Sequence, residues 1–151
     1  GKAVALAARA LGMQVLANDI VWDVTFANQN GITYVPLDDL LARSDVVSLH
    51  LALNDGTRHF LDRARLGKLK PGAILVNTAR AGVVDETALA DLLRSGHIGH
   101  YATDVYAQEP TKPDDPLRTL DNVTLTAHAG YNTPEAAMTM YRRAIDLAAA
   151  G

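Results

Sequence analysis

The sequence predicts an α/β fold built on a doubly wound parallel sheet, and three observations carry that expectation. Short, nearly continuous apolar runs such as Ala73-Ile-Leu-Val-Asn77 alternate with helical stretches of about ten residues, the pattern of right-handed crossovers and a sheet covered on both faces. The composition is that of one ordinary globular domain, with 48% apolar and 21% charged residues over 151 positions, enough to bury roughly two thirds of the unfolded surface. Polar residues also gather just past the apolar runs, where open parallel sheets hold their ligands.

The elements follow in order. Val4, Ala8 and Leu11 fall at helical spacing before Gly12, so residues 2–11 read as a helix packed on one face. Gln14 to Asn18 is a buried strand ending on Asp19. Ile32 to Val35 reads as strand, Leu37 to Ala42 as helix, Asp45 to Leu51 as strand and Arg63 to Leu69 as helix. Lys70-Pro-Gly72 is a turn. Ala73 to Asn77 is strand, Glu86 to Ser95 a helix stopped at Gly96, and Gly99 to Val105 and Asn122 to Ala127 are strands. A last helix starts at Thr133-Pro134, a threonine N-cap with proline at the first helical position, and runs to about Ala148. The proline-rich stretch from Glu109 to Pro116 is a loop, because strand and helix signals continue after it.

Charge and composition exclude several functions. A net charge of −3 with no block of like charge gives no footprint for a phosphate backbone, so no nucleic-acid partner is expected. Zero cysteines exclude disulfides, thiolate nucleophiles and Cys-ligated zinc, which fits a reducing cytoplasm. The apolar stretch from Ala3 to Met13 is broken by Arg9 and falls short of the roughly 18 residues of a membrane span, so no membrane partner is expected. No metal site is expected either: His97-x-x-His100 straddles a helix stop and a strand start without a third ligand. No nucleophile elbow or zinc-protease motif is present.

The strand ends carry the chemistry. Asp19 stands where a dinucleotide-binding sheet places an acid for the adenosine ribose hydroxyls, and the same carboxylate would repel a 2′-phosphate, which favours NAD over NADP. Taken alone, it reads equally as a solvated turn aspartate. Arg80 follows Asn77-Thr-Ala beyond a strand end, where a guanidinium can clamp a substrate carboxylate, or equally pair with Asp85 or Glu86. Thr78 and Ala79 offer backbone groups to a cofactor. His128 closes the last strand, placed to pass a proton as hydride moves, and Glu109 in the preceding loop can orient its ring. A lone strand-end histidine is more often structural. Arg, Glu and His at successive strand ends make the functional case.

These residues resemble a known family, the D-isomer-specific 2-hydroxyacid dehydrogenases, in their nucleotide-binding domain. The matching segments are Asp45-Val-Val-Ser-Leu-His-Leu51, the run from Leu69 through Asn77-Thr-Ala-Arg80 to Asp85, Thr103-Asp-Val-Tyr-Ala-Gln-Glu-Pro110, and Leu125-Thr-Ala-His-Ala-Gly-Tyr-Asn-Thr133, together spanning essentially the whole chain. The resemblance implies a Rossmann-like sheet with NAD as cofactor and a small 2-hydroxy or 2-keto acid as substrate. It implies that Arg80 binds the substrate carboxylate near the nicotinamide, that His128 is the general acid/base and that Glu109 is its partner. It further implies that Asp104 holds the nicotinamide carboxamide, that Asp19 holds the ribose, and that Leu51, Thr57, Thr78, Ala79 and Gly130 line the cofactor cleft. Formate dehydrogenases of this fold usually carry an amide where Glu109 stands, so the acid favours a 2-hydroxy acid over formate.

Ala52, Ala127 and Ala81 depart from the family pattern of proline, proline and glycine; these changes alter loop shape and spare the chemistry. By the same resemblance, Gly1 is the last glycine of the phosphate-binding loop. Residues 1–151 then form a dinucleotide-binding domain that lacks its first strand, most of its glycine-rich loop and the substrate domain. The first strand of such a sheet is central, so the chain alone is expected to be unstable or aggregation-prone and catalytically silent. In the full-length protein the family implies a homodimer. An NAD-sensing binding protein, similar to corepressors of this fold, is the alternative, because such proteins keep the same catalytic-looking residues.

Overall fold

The computed structural model describes residues 1–149. Helix α1 (Lys2–Ala10) leads to strand β1 (Val15–Ala17), helix α2 (Val24–Asn30) and strand β2 (Ile32–Tyr34). Helix α3 (Leu37–Arg43), strand β3 (Val46–Leu49), helix α4 (Arg63–Leu66) and strand β4 (Ala73–Asn77) follow. The second half holds helix α5 (Glu86–Arg94), strand β5 (Ile98–Thr103), strand β6 (Val123–Leu125) and helix α6 (Pro134–Ala149), with 3₁₀ turns at Ala81–Val83 and Pro116–Thr119. All strand pairs are parallel. The alternation of short strands and helices is the expected α/β architecture.

The strands form two sheets, β1-β2 and β3-β4-β5-β6, so β1 and β3 each keep one unpaired edge. In the larger sheet Val47, Leu49, Leu75 and Tyr101 pack with Leu66, Leu69, Ala88, Leu89 and Leu93 into one core. Burial alternates along its strands. Leu75 is fully buried, whereas its neighbour Ile74 is 39% exposed and Val46 on the adjoining strand 41%. Cover on both faces is therefore not observed. The reason lies in the helices: neither α1 nor α6 buries a residue, and Val4 and Leu6 stay 47% and 42% exposed. The expectation that residues 2–11 pack on one face is corrected accordingly.

Local signals explain most helix starts. Asp23, Asp62 and Asp85 each accept a backbone N–H from three residues downstream, capping α2, α4 and α5. Helix α2 is absent from the sequence expectation: only Ala27 of its seven residues is buried, which gives no apolar stripe to read, although the Asp23 cap and the left-handed Gly31 bracket it. Helix α4 is a single turn rather than the expected run to Leu69. At the opposite edge of the site, a Cβ on Gly99 would come 2.4 Å from the Gly72 carbonyl, so that position needs glycine for the turn before β4 to meet β5. No helix of the described residues is long and apolar enough to cross a membrane.

Candidate active site

Because the strands are parallel, their carboxyl ends emerge on one edge, and the loops there carry nearly every residue singled out above. A cleft of about 480 Å³ opens past β3 and β4. Gly1 forms one wall beside His50, Leu51, Ala52 and Leu53; Thr78, Ala79 and Arg80 form the other. Gly1 is also the N-cap of α1, with no side chain capping it. The first-turn amides, together with the helix dipole, therefore suit an anionic group in the cleft. His50 Nε2 lies 3.0 Å from Ser48 Oγ, and burial pushes its pKa down.

Buried Asn77 shapes the Arg80 turn. Its Nδ2 donates to the Arg80 carbonyl at 3.0 Å and its Oδ1 accepts the Ala79 amide at 3.0 Å. A longer bond of 3.4 Å reaches the Tyr101 hydroxyl. The turn thus presents Thr78, Ala79 and Arg80 toward the cleft from a fully satisfied amide. The Arg80 side chain is exposed and donates only to the Ala79 carbonyl, at 2.7 Å. Among the described residues no carboxylate lies within ion-pair distance of it, so the alternative pairings with Asp85 and Glu86 do not occur.

A second cluster forms past β5 and β6. His128 Nδ1 lies 2.6 Å from Glu109 Oε1, so the two residues 19 positions apart meet as the sequence suggested. The Tyr131 ring stands edge-on to the imidazole, with centroids 5.9 Å apart. His128 has φ 51°, a left-handed conformation uncommon outside glycine. Asp104 lies beneath the loop that follows it. Its Oδ1 accepts Thr126 Oγ1 at 2.5 Å and the Ala129 amide at 3.1 Å, and its Oδ2 accepts the Gly130 amide at 2.9 Å. Thr126, then the Gly130 amide, hold the Asp104 carboxyl below the usual aspartate range. A Cβ on Gly130 would come 3.0 Å from Asp104 Oδ2, so glycine permits the bond.

Asp19 follows β1, exposed, with Oδ1 accepting its neighbour's amide from Ile20 at 2.7 Å. Trp22 Nε1 donates to the Asp19 carbonyl, and its ring stacks on Tyr34 at 5.3 Å. Thr57 does not line the cleft: its hydroxyl donates to the Ala52 carbonyl at 2.6 Å and closes the loop after β3. Of the candidates, Gly1, Leu51, Thr78, Ala79 and Arg80 share the cleft, while Asp104, Glu109, His128 and Gly130 share the second cluster. Sequence reasoning passed over Asn77 and Thr126. Their positions at strand ends were visible, but their bonds depend on neighbouring strands.

The arrangement joins an anion-suited helix end, a free guanidinium and an oriented imidazole along one sheet edge. Comparisons with known proteins place the chain in a family. The model of the NAD binding domain of D-isomer specific 2-hydroxyacid dehydrogenases matches residues 1–130. The chain is 44% identical to a glyoxylate reductase of Korarchaeum cryptofilum over 89% of its length, covering 41% of that protein. It is 46% identical to a D-3-phosphoglycerate dehydrogenase of Mycobacterium leprae over 90% of its length, covering 26% of it. Among solved structures, D-lactate dehydrogenase from Aquifex aeolicus, complexed with NAD and lactic acid, superposes with a TM-score of 0.89 at 31% identity. That match covers 99% of this chain and 49% of the other. The chain thus spans half or less of each relative.

Proposed function

The chain belongs to the D-isomer specific 2-hydroxyacid dehydrogenases as their NAD-binding domain, and from that premise we propose that it is the cofactor half of an NAD-dependent enzyme interconverting a 2-keto acid and a D-2-hydroxy acid. The observation that carries this reading is the 2.6 Å contact between His128 Nδ1 and Glu109 Oε1 at the sheet edge. When bound, NADH supplies the hydride that C2 of the keto acid accepts.

Arg80 binds the substrate carboxylate with its unpaired guanidinium and draws charge from the adjacent carbonyl. The Glu109 carboxylate accepts a hydrogen bond from Nδ1–H of the His128 imidazolium, which fixes the ring and turns its Nε2–H toward the substrate oxygen. His128 then donates its Nε2 proton to that oxygen as the C=O π pair moves onto it, leaving a hydroxyl. In the reverse direction Nε2 takes the proton back. Asp19 receives the adenosine ribose, and its charge opposes a 2′-phosphate. The α1 N-terminus at Gly1 would hold the cofactor's phosphates, Leu51, Thr78, Ala79 and Gly130 would line its cleft, and Asp104 would hold the nicotinamide carboxamide. Thr57 shapes the loop that bounds the cleft.

On this reading a central strand ending in a glycine-rich turn precedes Gly1, and a substrate domain lies elsewhere in the polypeptide, where the enzyme pairs as a homodimer. Support comes from the division of the strands into two sheets with unpaired edges at β1 and β3. The test is NADH oxidation with a panel of glyoxylate, hydroxypyruvate, pyruvate and longer 2-keto acids. It is run on the polypeptide completed by that strand and domain. Turnover on one of them, abolished by orders of magnitude in His128→Ala with NADH affinity retained, is the expected result. Unchanged turnover in His128→Ala removes His128 from the mechanism. No turnover on any acid favours an NAD-responsive binding protein instead.

A further inference from the structure

We propose that Thr126 is a positioning residue, whose hydroxyl locks the Asp104 carboxylate onto the Ala129 and Gly130 amides and so holds His128 in its left-handed conformation against Glu109. The inference rests on the acid/base reading of His128.

A non-glycine residue at φ 51° is strained and persists only where its surroundings over-determine it. Here the two amides that follow His128 are both fixed by one side chain, Asp104. That side chain comes from the end of the neighbouring strand β5, and a lone aspartate there has rotamers that would leave the loop. The contact that selects one rotamer is the 2.5 Å bond from Thr126 Oγ1 to Oδ1. Thr126 is itself pinned: its amide donates to the Thr103 carbonyl at 3.1 Å, and its carbonyl accepts the Tyr106 hydroxyl. β-Branching restricts its side-chain rotation further. The same Thr126 bond, ahead of the two amides, holds the Asp104 carboxyl below the usual aspartate range. A carboxylate has about four acceptor positions, so the three bonds leave one for a further donor.

The decisive pair of variants is Thr126→Val, which keeps shape and loses the hydroxyl, and Thr126→Ser, which keeps the hydroxyl. Both are made in the completed polypeptide. In Thr126→Val, kcat for keto-acid reduction falls about 10- to 100-fold, the scale of a misplaced catalytic group. The keto-acid KM stays within about twofold, because Arg80 on a different strand binds the carboxylate. NMR of the same samples shows the Ala129 and Gly130 amides exchanging at least about tenfold faster, the equivalent of one charge-assisted hydrogen bond. It also shows the Asp104 carboxyl titrating closer to the ordinary aspartate range. Thr126→Ser restores all of these.

A Thr126→Val protein with wild-type kcat, or with both amides still protected, overturns the proposal. So does a Thr126→Ser protein as impaired as the valine variant. Should Thr126→Val fail to fold, Thr126→Ala at lower temperature carries the same comparison with serine, and equal impairment of alanine and serine refutes the role. If wild type itself turns over no 2-keto acid, the proposed function fails. The exchange and titration readings still decide the Thr126 clasp by themselves.

Discussion

Asn77→Ala removes the amide that shapes the Arg80 turn, and its cost can be worked from the structure. Two good hydrogen bonds disappear, to the Arg80 carbonyl and from the Ala79 amide, each 3.0 Å. At a net 0.5–1.5 kcal/mol apiece they amount to about 1–3 kcal/mol. The Arg80 residue is exposed, so water can replace the bond to its carbonyl, but Ala79 is half-buried and Asn77 itself fully buried. An orphaned amide and a small cavity therefore add to the cost, giving about 2–4 kcal/mol in all. Native-state amide exchange reads this directly. The amides of β4 and β5 should exchange roughly 30- to 1000-fold faster, while those of β1 and β2, which pair only with each other, act as the internal reference. Substrate analogues that present a carboxylate should bind more weakly, with NADH affinity less affected. Acceleration below about threefold, under roughly 0.7 kcal/mol, would refute the reasoning, because water would then be satisfying the turn as well as Asn77 does.

Asp19→Asn should narrow the preference for NADH over NADPH by about tenfold or more in kcat/KM, since one opposing charge beside the 2′-phosphate is removed; an unchanged ratio would detach Asp19 from the ribose. Burial, aided by Asp115, pushes the Glu86 carboxyl above its ordinary value. A raised acid binds more protons in the folded state than unfolded, so its contribution is greatest below the unfolded value near 4.3 and is lost as pH rises through the folded one. Urea midpoints should show Glu86→Gln gaining on wild type between pH 4 and 7, and a constant difference would contradict that sign. Asp104 runs the other way: its lowered carboxyl supports the fold above the ordinary aspartate value and loses that support as pH falls through the folded value. Asp104→Asn should accordingly show a weaker acid dependence of Ala129 and Gly130 exchange. Leu75→Ala, at a fully buried centre of the larger sheet, should cost about 2–5 kcal/mol in urea unfolding.

Much of the fold was legible in the sequence because the strands write short apolar runs bounded by turn and cap residues. The apolar run Ala73–Asn77 matches strand β4 at both ends, and the residues just past such runs line the cleft and the second cluster. His128 and Glu109 meet at successive strand ends, a pairing that the loop position of Glu109 after the preceding strand suggests. What was not legible depends on contacts between strands. Asn77 looks like any strand-end polar residue until Ala79, Arg80 and Tyr101 are seen around it. Thr126 shows nothing in one dimension of its bond to Asp104. Helix α2 escaped notice because it buries a single alanine, and the exposed face of the larger sheet escaped because periodicity reports which face is apolar rather than whether a helix lies on it.

The bonds at the sheet edge also determine which parts of the site act together. The Asn77 carbonyl accepts both the Asp104 amide at 3.2 Å and the Thr103 hydroxyl at 3.0 Å. Asn77 in turn holds the Arg80 turn, and Asp104 holds the loop of His128. The placement of the proposed carboxylate clamp relative to the proposed acid/base is thus fixed within β4, β5 and β6, through two residues whose main chains are bonded to each other. Asp19 stands outside that chain, on the sheet formed by β1 and β2 alone. Substitutions around Asp19 should therefore alter cofactor affinity and leave kcat at saturation nearly intact. Substitutions along Asn77, Asp104 and Thr126 should lower kcat, and pairs of them should combine less than additively, because each breaks the same connection.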